Sequence, residues 1–282
     1  MSKVSQNTQT ARPPIWKNLG ARAVSAVIFA LICLLPLYLG GLYWAIFAAV
    51  IGSRLKWEWI AMSDPMAKWP AYTIGILCLI GAVHTAYIGE FSKLWLIVLI
   101  AAAIAVVTRL RRGGLFWSVL GVIYIYIPTL MLVWLRGDVA GFTSKGLQSL
   151  LYIILVVIAA DTAAYFGGSF FKGPKIAVKL SPNKTWSGFF SGLVFALIIG
   201  CIYAQIMGWP IGESLIWSAL IMVLSVVGDF FESAIKRRLD VKDAGTLLPG
   251  HGGLLDRLDG LIMASAVVGL ILIYYPHMWV GA

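Results

Sequence analysis

The sequence predicts an all-α protein that crosses a membrane many times. Of its 282 residues, 60% are hydrophobic and only 12% are charged, and the mean hydropathy is +0.89. A soluble domain carries about 25% charged residues, roughly twice this share. Long apolar runs alternate with short polar segments, and Lys and Arg gather in every second connection. We therefore expect a polytopic bundle of transmembrane helices with no separate soluble domain.

Nine segments are predicted to be membrane spans, since a helix needs about 20 apolar residues to cross the hydrocarbon core. The second is the weakest, because its far half, RLKWEWIAM, carries Arg54, Lys56 and Glu58. We expect that half to lie along the membrane interface. The predicted spans are 20–39, 41–62, 70–88, 93–109, 114–135, 147–168, 186–207, 211–235 and 254–275.

The distribution of Lys and Arg orients these spans. With the N-terminus in the cytoplasm, 19 of the 22 basic residues lie on the cytoplasmic side, and only Lys93, Arg136 and Lys145 lie outside. The positive-inside rule favours this orientation, which leaves the C-terminus outside. We expect a multi-pass protein of the cell membrane, of the bacterial inner-membrane type. The net charge of +10 then follows largely from topology, and no nucleic-acid-binding surface is expected.

Three regions follow along the chain: a cytoplasmic tail at 1–19, N-terminal transmembrane helices at 20–145, and a catalytic transmembrane region at 146–282. The three cysteines, Cys33, Cys78 and Cys201, lie in apolar runs without metal-ligand spacing, so we expect them to be structural. Two cytoplasmic connections, after spans six and eight, are richer in polar residues than the others. The chemistry is expected there.

The first of these connections combines an intramembrane acid with a basic turn. Asp161 ends an apolar run in span six, and an ionisable residue inside a span is costly and therefore a functional candidate. In the following FKGPKIAVKLSPNKTWSG, we expect a turn at 181–183, with Lys184 and Thr185 opening span seven. A lysine, hydroxyls and free N–H groups at a helix N-terminus favour an anion site. An ordinary basic cytoplasmic loop is the alternative.

The second connection gathers acids that topology does not require. Six of the twelve acidic residues fall within 229–259. Helical spacing stacks Asp229, then Glu232 or Ser233, then Lys236 or Arg237, on one side of span eight. A glycine-rich loop follows, after which two aspartates, at 256 and 259, lie one turn apart at the start of span nine.

Carboxylates from two helix ends, surrounded by cations, are typical of a metal–polyphosphate site. Mg²⁺ prefers oxygen ligands and keeps positions for water or substrate phosphates. The alternative is a salt-bridged loop with acids at a helix N-terminus, which accounts for Asp256 or Asp259 but not for Asp229 inside a span. His251, between glycines, either orders the loop or contacts a phosphate.

The run SAIKRRLDVKDAGTLLPGHGGLLDRLDG, residues 233–260, closely resembles the signature of the phosphatidate cytidylyltransferase family. The upstream DTAAYFGG and SPNKTWSG are similar to the second block of that family, except that Asn183 stands where the family has a lysine. The resemblance covers 161–260. The matching fixed positions are Ser233, Lys236, Arg237, Lys242, Asp243, Gly245, His251, Gly252, Gly253, Asp256, Arg257 and Asp259.

The resemblance implies that CTP and phosphatidic acid give CDP-diacylglycerol and pyrophosphate, with Mg²⁺ and room for a second cation. It implies four catalytic residues, Asp229, Asp256, Lys242 and Arg257, and four candidate metal ligands, Asp229, Asp256, Asp259 and Asp161. The implied partners are CTP, phosphatidic acid and the lipid bilayer, and a homodimer is left open. The implied substrate-binding residues are Ser181, Lys184, Thr185, Ser233, Lys236, Arg237, Asp243 and His251.

Two alternatives remain for the function. One is another CTP-dependent nucleotidyl or phosphoryl transferase that acts on a different lipid. The other is a cation-coupled transporter that uses Asp161 and Asp229 as intramembrane ion sites. A transporter has no need of a loop that is rich in glycine, lysine and arginine, so the enzyme is favoured.

Overall fold

The computed structural model of the chain describes residues 31–178, 180–245, 247 and 252–281, without the side chains of Phe91 and Ser92. Helices make up most of the described chain. The first, α1, is described over 31–39. The others are α2 (Gly41–Ser63), α3 (Trp69–Tyr87), α4 (Phe91–Arg109), α5 (Leu115–Arg136), α6 (Lys145–Phe171), α7 (Trp186–Met207), α8 (Ile211–Arg238) and α9 (Leu255–Tyr274), with a final 3₁₀ turn at Pro276–Met278.

The all-α, multi-pass prediction is confirmed, because the helices α2 to α9 match the predicted spans two to nine to within a few residues at most of their ends. Six of them, α3 and α5 to α9, are long and apolar enough to cross a membrane by length and composition. The helices α2 and α4 do not reach that standard. The count of nine spans and their orientation therefore stay predictions.

The helices pack as two groups that meet along α5 and α9. One apolar core lies mainly among α2 to α5, around buried residues such as Trp59, Leu79 and Ile125. A second lies among α6 to α9, around Tyr152, Val156 and other buried residues. Contacts of α5 with both α2 and α9 join the two groups.

Glycines allow the helices of the second group to cross closely. A Cβ at Gly188 of α7 would lie 2.7 Å from the carbonyl oxygen of Ala164 in α6. A Cβ at Gly228 of α8 would lie 2.5 Å from the carbonyl oxygen of Asp259 in α9. These crossings bring the end of α6, the start of α7, the end of α8 and the start of α9 to one end of the bundle.

The turn predicted at 181–183 is wrong. Lys175–Ala177 (β1) and Ser181–Thr185 (β2) form an antiparallel hairpin, and the turn precedes Ser181. Pro182 fits this strand because the hairpin has only two strands, and a residue at an edge need not donate to a ladder. The helix α7 begins at Trp186, immediately after β2.

The far half of the second predicted span, expected along the interface, is buried between helices, and its place relative to the membrane stays a prediction. The helix α2 runs without interruption to Ser63, and Lys56 and Glu58 are among its most buried residues, with 3% and 1% of their surface exposed. Both side chains project between helices. Glu58 meets backbone donors of α9, and Lys56 lines a cavity.

Candidate active site

Lys184 and Asp229 form the first of two ion pairs at the end of the bundle where the polar connections lie. Lys184 is the last residue but one of β2, and its ammonium group donates to the Asp229 carboxylate from α8. The same ammonium lies 4.8 Å from the centre of the Phe230 ring. Burial is the largest influence on this lysine and lowers its pKa to about 8. The pair thus joins the first polar connection to the second.

Lys236, near the end of α8, is the centre of the second ion pair. Its Nζ donates to Asp256 Oδ1 of α9 at 2.6 Å, and it lies 3.3 Å from Glu232 Oε1, one turn back on the same helix. Among the predicted alternatives on α8, the structure therefore selects Glu232 over Ser233 and Lys236 over Arg237. Ser233 is half-buried and Arg237 is exposed.

Asp256 fixes the loop between α8 and α9. While Oδ1 accepts from Lys236, Oδ2 accepts from the backbone N–H groups of Ala244 at 2.9 Å and Gly253 at 2.7 Å. Gly252 has φ of +83°, and a Cβ there would lie 2.7 Å from Asp256 Oδ2, so this position requires glycine. Both oxygens of Asp256 are thus already engaged in holding the loop to the helices.

Glu232 and Asp259 place two further carboxyl groups side by side beneath this loop. Glu232 is fully buried, and neither of its carboxyl oxygens accepts a hydrogen bond from any described residue. The carboxyl group of Asp259 lies next to it and accepts from the backbone N–H of Gly260 at 2.9 Å. Asp161, on α6, accepts from Ser225 Oγ at 3.4 Å. The region therefore holds more carboxylates than its two lysines neutralise.

These carboxylates fit Mg²⁺ by their chemistry. Within the described residues, no three His, Cys, Asp or Glu side chains converge as a ready-made metal cage. Mg²⁺ does not require one, because it is commonly held by one or two carboxylates together with substrate phosphates and water. Among the described residues, the buried oxygens of Glu232 accept no hydrogen bond and the Asp229 carboxylate meets Lys184, so both carboxyl groups are suitable hard donors.

The hydroxyl residues of the first connection divide between two roles. Thr185 caps α7, since its Oγ1 accepts from the backbone N–H of Gly188 at 3.1 Å and lies 3.1 Å from Ser187 Oγ. Its hydroxyl therefore serves the helix N-terminus beside Lys184. Ser181 is half-buried in β2 and lies at the far end of the strand from the ion pair.

The other residues predicted for the second connection are solvent-exposed or not described. Lys242, Asp243 and Arg257 are exposed. Asp243 nevertheless lies close to the part of the loop that Asp256 fixes, because a Cβ at Gly252 would lie 3.6 Å from Asp243 Oδ1. His251 lies outside the described residues, so its role stays a prediction.

Glu58 is a site residue that the sequence analysis missed. Its carboxylate accepts from the backbone N–H groups of Leu254 at 3.0 Å and Leu255 at 2.8 Å, at the start of α9. Arg54 pairs with it at 3.0 Å, one turn earlier on α2. A carboxylate at a helix N-terminus satisfies orphan N–H groups and complements the helix dipole. The N-terminal helices thus hold the polar end of α9 in place.

Residues 20–275 match the model of the cytidylyltransferase family. A phosphatidate cytidylyltransferase of Brucella suis is 34% identical over 254 residues, which cover 90% of this chain and 93% of that protein. A phosphatidate cytidylyltransferase of Haemophilus influenzae is 32% identical and covers 86% of this chain and 94% of its own length. Phosphatidate cytidylyltransferase 5, chloroplastic, of Arabidopsis thaliana is 43% identical over 126 residues, 43% of this chain and 31% of that protein.

Proposed function

Because this chain belongs to the cytidylyltransferase family, we propose that it joins CTP to phosphatidic acid, giving CDP-diacylglycerol and pyrophosphate. The chain is an integral-membrane nucleotidyltransferase of phospholipid biosynthesis. The match extends over nearly the full length of the bacterial relatives, so it includes both helix groups and both polar connections.

The observation that carries the assignment to a site is the pair of lysine–carboxylate contacts, Lys184 with Asp229 and Lys236 with Asp256. Both lysines are largely removed from water, with 26% and 16% of their side-chain surface exposed. A buried carboxylate and a buried lysine each find a stronger partner when a metal and a polyphosphate arrive together. Mg²⁺ would therefore replace the lysines as the partner of the carboxylates, and the phosphates of CTP would replace the carboxylates as partners of the lysines.

The proposed reaction is an attack of a phosphate oxygen of the lipid on the α-phosphorus of CTP. A new P–O–P bond forms, and the bond from the α-phosphorus to the bridging oxygen breaks, so that pyrophosphate leaves with that electron pair. The lipid phosphate is already ionised at neutral pH, so no strong general base is needed. Lys184 and Lys236 would hold phosphate oxygens and offset charge that develops on the leaving group.

Mg²⁺, with a second cation left open, is proposed as the cofactor. Asp229, Glu232 and Asp259 are the residues that would hold it, with Asp161 beside them. When bound, the metal supplies charge neutralisation on the phosphates and a fixed geometry for the transfer. The two engaged oxygens of Asp256 favour a positioning role for this residue, so its proposed part in metal binding requires release of Lys236.

We propose further that all nine predicted spans cross the membrane, with the N-terminus and the catalytic end in the cytoplasm. This end carries the basic connections that the positive-inside rule assigns to the cytoplasm, and CTP is a cytosolic nucleotide. The lipid would reach the ion pairs laterally, between the helices of the second group. Labelling of single cysteines placed in each connection, in sealed vesicles, tests this orientation.

The activity is tested with the purified full chain in detergent, labelled CTP, phosphatidic acid and Mg²⁺. Release of labelled CDP-diacylglycerol with equal amounts of pyrophosphate supports the proposal. Turnover with a polyprenol or another lipid acceptor, and none with phosphatidic acid, would assign a different lipid transferase. Cation transport by liposomes without any CTP turnover would instead assign a transporter.

A further inference from the structure

A cavity in the first helix group lies apart from the candidate active site. It lies between α2, α3, α4 and α5, and its interior volume is about 40 Å³. Lys56, Gly75, Cys78, Arg109 and Tyr126 contribute to its lining. None of these residues takes part in the contacts of Lys184, Lys236 or Asp256 described above.

Lys56 is the unusual member of this lining. Only 3% of its surface is exposed, and in the described parts of the chain no carboxylate lies within ion-pairing distance of its ammonium group. Its Nζ lies 5.3 Å from the centre of the Tyr126 ring, and the thiol of Cys78 lies near it. A buried cation without a carboxylate is costly, and inside a transmembrane protein it marks a functional site.

A second cation, Arg109, lines the cavity, and the carboxylate that also lines it is already paired. This carboxylate belongs to Asp64, and two nitrogens of Arg112 donate to it at 3.1 and 3.0 Å. Arg109 lies 3.8 Å from the same carboxylate and donates to the backbone oxygens of Ser63 and Gly113. Positive charge therefore dominates the lining between Arg109 and Lys56, which lies eight residues, or about 12 Å of helix, before Asp64.

The walls between these cations are mainly apolar, with two serines and a threonine among them. Ile60 of α2, Ile74 of α3 and Ile104 of α4 line the cavity with small alanines of α4. The outer surfaces of α3 and α4 are also apolar, with Leu77 and Leu99 well exposed, as expected for surfaces that face lipid. A compact anion with an apolar body matches this arrangement better than a free polar solute does.

From the cavity, its apolar walls and the unpaired buried lysine, we infer a binding site for a phosphate-bearing anion. Lys56 binds the phosphate within the cavity, and Arg109 supplies a second positive charge in the lining. An anionic phospholipid headgroup and free phosphate share this chemistry, and the apolar walls favour the lipid. The site is separate from the catalytic end of α9, because Glu58, two residues from Lys56, leaves α2 on another side to meet Leu255.

Cys78 provides a reporter within the cavity wall. In a Cys33→Ala, Cys201→Ala background of the full chain in detergent, the rate of N-ethylmaleimide labelling at Cys78 is measured by mass spectrometry. We expect short-chain phosphatidic acid to slow labelling at least fivefold. Lys56→Met should abolish this protection, whereas Lys56→Arg should retain it. Turnover plays no part in this readout, so the result is independent of the proposed reaction.

Two further ligands identify the source of the phosphate. Protection by phosphatidic acid but not by inorganic phosphate assigns a lipid headgroup, and protection by both assigns a general phosphate site. Equal protection by zwitterionic phosphatidylcholine, no protection by either anion, or no labelling of Cys78 in the ligand-free chain would each overturn the inference. If Lys56→Met fails to fold, Arg109→Gln replaces it, with weaker protection expected.

Discussion

The carboxylate of Glu58, in the second helix, accepts a hydrogen bond from the backbone N–H of Leu255, 197 residues later in the chain. Its other oxygen accepts from Leu254, and the backbone at Gly245 and Gly253 packs against the same side chain. One buried acid of the N-terminal helices thus holds the start of α9 and packs against two points of the loop that precedes it. The active end is assembled from both helix groups.

Glu58→Gln is expected to lower turnover about 10- to 100-fold, with little change in the yield of folded protein. The amide keeps the size of the side chain but has a single acceptor oxygen, so one N–H of α9 loses its partner. A lost hydrogen bond to a charged group costs about 1.5–3 kcal/mol. Because Glu58 acts through the loop, kcat should fall more than the KM for CTP changes. Amide hydrogen exchange should rise at the start of α9.

Glu90→Gln is the matched control for Glu58→Gln. It makes the same chemical change in a residue of an exposed pair with Lys93, where both side chains remain accessible to solvent. Surface pairs of this kind contribute little. Equal activity of the two variants would remove the positioning role of Glu58.

Lys184→Met is expected to reduce turnover at least 100-fold. The substitution removes the cation that meets Asp229 and would hold a phosphate oxygen, and loss of one such electrostatic group commonly costs 10²–10³ in rate. Lys175→Met, on the partner strand and exposed, is the control and should retain most activity. Turnover is measured from pyrophosphate release under saturating substrates. Similar rates for the two variants would place the catalytic cation elsewhere.

Asp256→Asn should impair both the loop and the reaction. The amide oxygen can take the place of Oδ2 and accept from Ala244 and Gly253, more weakly than a carboxylate does, but the amide nitrogen no longer pairs with Lys236, whose charge is left beside Glu232. We expect turnover to fall at least 100-fold and hydrogen exchange at Ala244 and Gly253 to increase. Wild-type exchange at these amides, combined with lost turnover, would indicate a direct metal role and no role in fixing the loop.

Asp240→Asn is the control for Asp256→Asn. Asp240 is exposed, and its φ of +55° suits asparagine as well as aspartate. This variant should match the wild type in both turnover and exchange. An equal loss in Asp240→Asn would show that any change of acid in the connection is harmful, and would remove the special position of Asp256.

Glu232→Gln tests the proposed metal site. Glu232 is buried, and its oxygens accept no hydrogen bond from the described residues, which suits a hard cation. We expect half-maximal activity to require about tenfold more Mg²⁺, with activity largely restored at saturating metal. An unchanged Mg²⁺ dependence would assign Glu232 to the Lys236 ion pair alone. The binding of Mn²⁺ without CTP, followed by electron paramagnetic resonance, gives an independent measure.

Local sequence patterns predicted the helices well but decided only part of the site. The four-residue spacing of Glu232 and Lys236 is visible in the sequence, yet helical periodicity leaves Ser233 equally well placed. Contact with α9 decides between them, because the carboxyl group of Asp259 lies next to Glu232. Such a choice depends on a helix crossing that no local pattern specifies.

Long-range partners explain the remaining failures. Lys56 and Glu58 looked interfacial because charged residues in a span normally seek water. The backbone donors that accommodate Glu58 lie 196 and 197 residues away, and the cavity around Lys56 is built from four helices. Pro182 is typical of a turn, but a two-stranded hairpin accepts it as an edge residue.

The connection between α1 and α2 yields a prediction about stability. Gly40 has φ of +66° and ψ of −159°, a conformation that essentially only glycine adopts, and a Cβ there would lie 2.6 Å from Arg136 Nη1. Arg136 is fully buried and donates to the backbone oxygens of Leu37 and Tyr38. Gly40→Ala therefore combines backbone strain with displacement of a buried guanidinium, and we expect a loss of about 3 kcal/mol.

Gly212→Ala separates this effect from a general response to alanine. Gly212 lies in the first turn of α8, and a Cβ there would have no heavy atom within 4 Å. Alanine at such a helical position is neutral or stabilising by up to about 1 kcal/mol. Thermal unfolding in one detergent should lower the apparent Tm of Gly40→Ala by several degrees and leave that of Gly212→Ala unchanged or higher. Equal Tm values would mean that Arg136 moves freely, and its proposed part in holding α1 against α5 would be wrong.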